Sequence, residues 1–106
     1  MKEKISVLIA DDNQDFSHTL STYINSQNDM EVVGMAKDGT EAIELMRKVK
    51  PDVMILDVIM PHLDGLGVLE KINGEEERPI CIMLSAVGQD KITQKAITLG
   101  AEYYVV

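Results

Sequence analysis

Residues Val53 to Gly65 read V-M-I-L-D-V-I-M-P-H-L-D-G, and this stretch decides the fold. Val53, Met54, Ile55 and Leu56 form a continuous apolar run, short enough for a strand and too uniform for one with a wet face. Runs of that kind mark strands buried on both sides, as in parallel sheets covered by helices. The run stops at Asp57. A carboxylate at the carboxyl end of a buried parallel strand stands at the lip of the sheet, where open α/β folds place their ligands. Pro61 and the Asp64-Gly65 pair then signal a loop ahead of the next helical pattern.

Working outward, the same grammar recurs. Ile5 to Ala10 is a first apolar strand, behind a charged M-K-E-K start, and it too ends in acids, Asp11-Asp12-Asn13. Phe16, Leu20, Tyr23 and Ile24 recur at helical spacing and predict a helix from about Gln14 to Ser26. Met30 to Ala36 reads as a more mixed strand, suited to an edge. Asp38-Gly39 turns the chain into a second helix, with Ala42, Met46 and Val49 on its apolar face and its end before Pro51. After the central strand come a helix over about Gly65 to Ile72, a polar loop to Pro79, and a strand over Ile80 to Leu84 that ends at Ser85. Ile92, Ala96 and Leu99 mark a fourth helix closed by Gly100, and Ala101 to Val106 enters a fifth strand.

Alternating strands and helices with short connections demand a parallel sheet with right-handed crossovers. Five strands suit the doubly wound, flavodoxin-like order 2-1-3-4-5, which sets strands 1 and 3 side by side at the topological switch point. Asp11, Asp12 and Asp57 then share one lip of the sheet.

Composition narrows the classes. With 106 residues the chain is one domain, and its single Cys81 excludes an internal disulfide. Cys81 lies inside an apolar strand and reads as inert core. One phenylalanine and three tyrosines leave the interior to aliphatics and seven methionines, with Met60 expected to stand exposed beside the acidic lip. No apolar run has bilayer length and no signal peptide is visible, which implies a cytoplasmic protein. A net charge of −8 speaks against a nucleic-acid backbone as this segment's own ligand.

Each acid has an ordinary explanation taken alone: Asp12 could cap the first helix, and Asp64 belongs to its Asp-Gly turn. Together they are harder to dismiss. Three ionised carboxylates within about 4 Å repel by roughly 4 kcal/mol per pair at an effective dielectric of about 20, so one takes a proton or a cation sits among them. An open, oxygen-only cluster suits Mg²⁺, which keeps several waters and leaves room for a phosphate. A calcium loop starting at Asp11 fails, because Phe16 and Thr22 stand where glycine and glutamate are required. Gly65 and Gly67 lack the third glycine of a dinucleotide fingerprint. A phosphatase of the haloacid dehalogenase type would want an acid at position 59, which is Ile59.

In order, Asp11-Asp12, Asp57 with Met60-Pro61 and Asp64-Gly65, Ser85, and Gly100-Ala101 with Tyr104-Val105-Val106 resemble the receiver domains of bacterial two-component and phosphorelay response regulators. Within that family the sequence is most similar to the receivers of sporulation transcription regulators. The resemblance implies that Asp57 accepts a phosphoryl group from a phosphohistidine or a small acyl phosphate. It implies Mg²⁺, or another divalent cation such as Ca²⁺ or Mn²⁺, held by Asp12, Asp57 and the backbone carbonyl of Ile59, with Asp11 acting mainly through water. Ser85 would contact a phosphoryl oxygen, and Tyr104 would turn into the space this opens. The implied partners are a histidine kinase or phosphotransfer protein, with Asn13, Gln14 and His18 near its approach, and an effector domain beyond Val106 that binds DNA. The implied chemistry is limited to self-phosphorylation and self-dephosphorylation. A pseudo-receiver acting only as an interaction module, and a Mg²⁺-dependent phosphatase, are the alternatives.

The pattern departs from the family at one end. Receivers usually carry a lysine just after the fifth strand and then a fifth helix, and this sequence stops one step short. The expectation is a receiver truncated before its last helix, with one uncovered apolar face able to support a homodimer or an exchange of elements.

Overall fold

The computed structural model describes residues 4–85 and 90–106; the charged start at residues 1–3 lies outside them. Nine elements alternate: β1 (Ile5–Ala10), α1 (Gln14–Asn25), β2 (Met30–Ala36), α2 (Gly39–Val49), β3 (Val53–Asp57), α3 (Gly65–Ile72), β4 (Ile80–Leu84), α4 (Asp90–Thr98) and β5 (Tyr103–Val105). The strands form one parallel sheet in the order β2-β1-β3-β4-β5, as the strand and helix alternation predicts. The mixed strand β2 is an edge, and its register against β1 slips by one residue between Val7 and Leu8.

Two apolar clusters lie on the two faces of this sheet. The larger joins Leu8, Met54, Leu56, Cys81 and Met83 to Ala42 and Met46 of α2, Val68, Leu69 and Ile72 of α3, and Ala96 of α4. The smaller joins Val7 and Ile9 to Ile24 of α1, with Leu20, Val53 and Ile55 packed against it. Burial along β3 therefore alternates: Met54 and Leu56 are fully buried, while Val53 and Ile55 are only partly so. The expectation of a strand buried equally on both sides is corrected by this asymmetry, because α1 alone covers the second face among the described elements. On that face Ile80 is 47%, Tyr103 62% and Val105 49% exposed.

Helix α1 corrects a second expectation. Its buried residues are Ser17, Ser21 and Ile24, whereas Phe16 and Tyr23 point to solvent. Small serines let the helix lie close to the sheet, and they satisfy their hydroxyls on backbone carbonyls, Ser17 on Asp11 and Ser21 on His18. A pattern built on large apolar residues places that face about a quarter-turn away.

Helix ends follow from local chemistry. Asn13 Oδ1 accepts from the Phe16 N–H, Asp38 Oδ1 from Glu41 N–H, and Asp64 Oδ1 from Gly67 N–H, so each is an N-cap. Gly100, at φ 106, follows α4 as its glycine stop. Among the described residues no helix is long and apolar enough to cross a membrane.

Candidate functional site

The cap of α1 is Asn13, not Asp12, which leaves the Asp12 carboxylate available at the carboxyl end of β1. Asp11 is buried, and its Oδ1 accepts the Asn13 N–H at 2.8 Å. This Asx-type turn folds the chain back over the strand end and points the two acids toward β3. Asp57 closes β3 beside them, with its Oδ1 accepting from the Ile59 N–H at 3.3 Å. Asp11, Asp12 and Asp57 each offer a carboxylate oxygen, and these oxygens all lie within 4.8 Å of one another.

The electrostatics answer that convergence. Asp57 is pushed up from 3.8 to about 6, first by burial and next by the charge of Asp11, with Asp12 adding to the rise. The N–H groups of Ile59 and Val58 pull the other way and do not compensate. A carboxylate held this way is poorly stabilised as an anion until positive charge arrives.

The acids open into a cleft of about 480 Å³ lined by Asp11, Asp12, Asn13, Phe16, Asp57, Leu84, Ser85, Val105 and Val106. A cleft of that size holds waters and a phosphoryl group beside a cation. The donors are oxygens only, and the site is open on one side, which fits Mg²⁺. Ser85 is buried and lines the cleft. Its N–H donates to the Val105 carbonyl at 2.9 Å, tying it to β5. Tyr104 packs against the larger core on the opposite face of β5 from Tyr103 and Val105.

Other expectations fare unevenly. Ile59 is exposed next to the cluster. Met60 is not exposed: it is 7% accessible and belongs to the larger core. The loop after β3 folds inward, since Val58 N–H donates to Leu84 O and Gly65 N–H donates back to Val58 O, which turns Met60 under the loop. Phe16, one of the apolar residues whose spacing predicts α1, lines the cleft. The Asn13 cap is the signal that could have found it, because a cap there puts Phe16 in the first turn, against the acids.

Residues 7–106 match the family described as the response regulator receiver domain. The chain belongs to that family. Among solved structures, the response regulator domain of Thermotoga maritima CheB is 38% identical with a TM-score of 0.90, over 97% of this chain and 78% of that one. The signal receiver domain of the putative response regulator NarL from Mycobacterium tuberculosis is 31% identical with a TM-score of 0.92, over 97% and 83%. The CheX-CheY-BeF3-Mg²⁺ complex from Borrelia burgdorferi contains a chain 29% identical, with a TM-score of 0.85, over 96% and 77%. Receiver domains are phosphoacceptor switches rather than turnover enzymes. They are typically phosphorylated on aspartate, bind Mg²⁺ through acidic residues, and work with histidine kinases and effector domains.

Proposed function

We propose that this receiver takes a phosphoryl group on Asp57, with Mg²⁺ held by Asp12, Asp57 and the Ile59 carbonyl and with Asp11 acting through water. The convergence of Asp11, Asp12 and Asp57 within 4.8 Å carries the reading. Bound Mg²⁺ supplies positive charge against the carboxylates and the equatorial phosphoryl oxygens. An Asp57 carboxylate oxygen attacks phosphorus, the N–P bond of the donor phosphohistidine breaks, and its electron pair stays with the imidazole. Hydrolysis later returns the carboxylate and inorganic phosphate. Asp11 and Asp12 hold the site's charge; Ser85 donates its hydroxyl to a phosphoryl oxygen.

The switch runs through Ser85 to β5 and Tyr104, and the output is an effector domain, DNA-binding in the full protein. A sporulation output, drawn from the sequence likeness, and a cytoplasmic setting belong to the same proposal. The test is transfer of radiolabelled phosphoryl from a phosphorylated histidine phosphotransfer protein. Label that appears on this chain, is hydroxylamine-labile and is lost in Asp57→Asn supports the reading; label retained in Asp57→Asn overturns it.

A further inference from the structure

The loop after β3 is fastened from outside as well as from within. Besides its bonds to Leu84 and Gly65, its Leu63 carbonyl accepts the N–H of Gly39, the first residue of α2, at 2.8 Å. Gly39 leaves no room for a side chain. An added Cβ would stand 2.2 Å from the Leu63 carbonyl oxygen and 2.8 Å from both its carbonyl carbon and its Cβ. The obstacle is backbone, so relief requires the loop itself to move. The loop is also tight at that point. Leu63 N–H donates to Pro61 O at 2.7 Å across His62, whose φ is 66. A three-residue turn with positive φ at its centre is rare and strained, and it persists where surrounding contacts fix it.

The other end of the same segment reaches the opposite side of the acidic cluster. Asp11 N–H donates to the carbonyl of Ala36, the last residue of β2, at 3.0 Å. The residues from Ala36 to Gly39 therefore strap the backbone of Asp11 to the loop that follows Asp57. The strap is stiff: Asp38 Oδ1 accepts from Glu41 N–H at 2.8 Å, and Glu41 Oε1 accepts from Lys37 N–H at 3.3 Å. Each side chain thus satisfies a backbone donor on the other's side of the turn, in the manner of a capping box.

We infer that this strap, acting through Gly39, sets the spacing between the Asp11–Asp12 lip and the Asp57–Ile59 loop, and that Gly39 is a positioning residue for divalent-cation binding. The inference rests on the functional reading above. Gly39 touches neither cation nor phosphoryl group. Its leverage comes from coordination: Mg²⁺ demands near-ideal octahedral geometry at about 2.0–2.1 Å, so a small displacement of one ligand-bearing segment costs affinity before it costs the fold.

The test is Mg²⁺ affinity by titration calorimetry, with folding stability measured on each variant by urea unfolding. Gly67→Ala is the control, because its Cβ would press at 2.5 Å on Leu63 Cδ1, the end of a flexible side chain. It loads the same loop without driving the carbonyl. Gly39→Ala is expected to weaken Mg²⁺ binding by about ten- to hundredfold, the range for residues that orient metal ligands, while Gly67→Ala keeps wild-type affinity despite lost stability. If Gly39→Ala does not fold, Asp38→Ala decides: loosening the strap weakens binding several-fold, and Asp38→Asn restores it, because asparagine caps as well as aspartate. Equal affinity in Gly39→Ala and Gly67→Ala, or in Asp38→Ala and wild type, overturns the inference and leaves the functional reading standing. A wild-type chain that binds no Mg²⁺ overturns both.

Discussion

The N–H of Ser85 donates to the carbonyl of Val105 at 2.9 Å, so the hydroxyl residue of the cleft and the strand carrying Tyr104 are joined through backbone. Under the proposed switch, a displacement of Ser85 toward a phosphoryl group would pass to β5 through this backbone bond. Ser85→Ala keeps that backbone bond and removes only the hydroxyl. It should slow phosphoryl uptake from a small donor by about a hundredfold, the modest end of what loss of one donor to a developing anion costs. It should also leave the Tyr104 ring signals of the phosphorylated chain close to those of the unphosphorylated one. Stopped-flow uptake and NMR of the tyrosines read the two effects; a Ser85→Ala chain that switches Tyr104 fully would remove Ser85 from the switch.

The raised Asp57 makes stability depend on pH with a definite sign. Its folded value of about 6 lies above its ordinary 3.8, so between those values the folded chain holds the proton more firmly than the unfolded one. That contribution is fully present below about pH 4 and is lost as pH rises through about 6. The rise is equivalent to about 3 kcal/mol in a fully shielded site, and solvent screening at this open cleft reduces it to about 1 kcal/mol. Saturating Mg²⁺ should restore the loss at pH 7 and do little at pH 4.5, where protonated Asp57 competes with the cation. Urea midpoints with and without Mg²⁺ at the two pH values check this; a Mg²⁺ effect equal at both would contradict it.

Asp12→Ala separates the cost of the cluster from its use. The variant should lose Mg²⁺ binding by calorimetry and yet be more stable than wild type without metal, by about 0.5–1 kcal/mol, because one repelling charge is gone. A metal-free stability below wild type would mean that Asp12 supports the fold directly.

Away from the cleft, Arg78 and Glu102 pin the start of β5. Arg78 Nη2 donates to the Gly100 carbonyl and, at 2.7 Å, to Glu102 Oε1, while Glu102 Oε2 accepts the Cys81 N–H at 2.6 Å. Glu102→Ala should cost about 1–3 kcal/mol of stability by stranding the Cys81 donor, with phosphoryl uptake unchanged. A large fall in uptake at unchanged stability would place this clamp in the switch instead.

Met60 tests how the acceptor loop is held. Because its side chain is core, Met60→Ala should destabilise by about 2–3 kcal/mol, whereas an exposed methionine would change stability by less than about 0.5 kcal/mol. Thermal unfolding distinguishes the two.

Much of this architecture was legible because it is written in periodicity. Apolar runs that end in Asp11, Asp57 and Ser85 announced buried parallel strands and placed their ends at one lip, and the five-strand order followed from alternation and handedness. What was not legible depended on three-dimensional closeness. Ser17 and Ser21 are buried because α1 lies close against the β2–β1 side of the sheet, something no hydropathy pattern encodes. Met60 turns inward because a backbone bond between Gly65 and Val58 closes its loop. Gly39 read as an ordinary Asp-Gly turn, since its contact lies 24 residues away at Leu63. The partial cover of β3 likewise depends on how many helices share one face, which a single strand cannot report.

Intact mass after incubation with acetyl phosphate tests the central claim most directly, on wild type with and without Mg²⁺ and on Asp57→Asn with Mg²⁺. The account predicts a gain of one phosphoryl group in wild type with Mg²⁺ alone. The same gain in Asp57→Asn, or in wild type stripped of divalent cations, would contradict it.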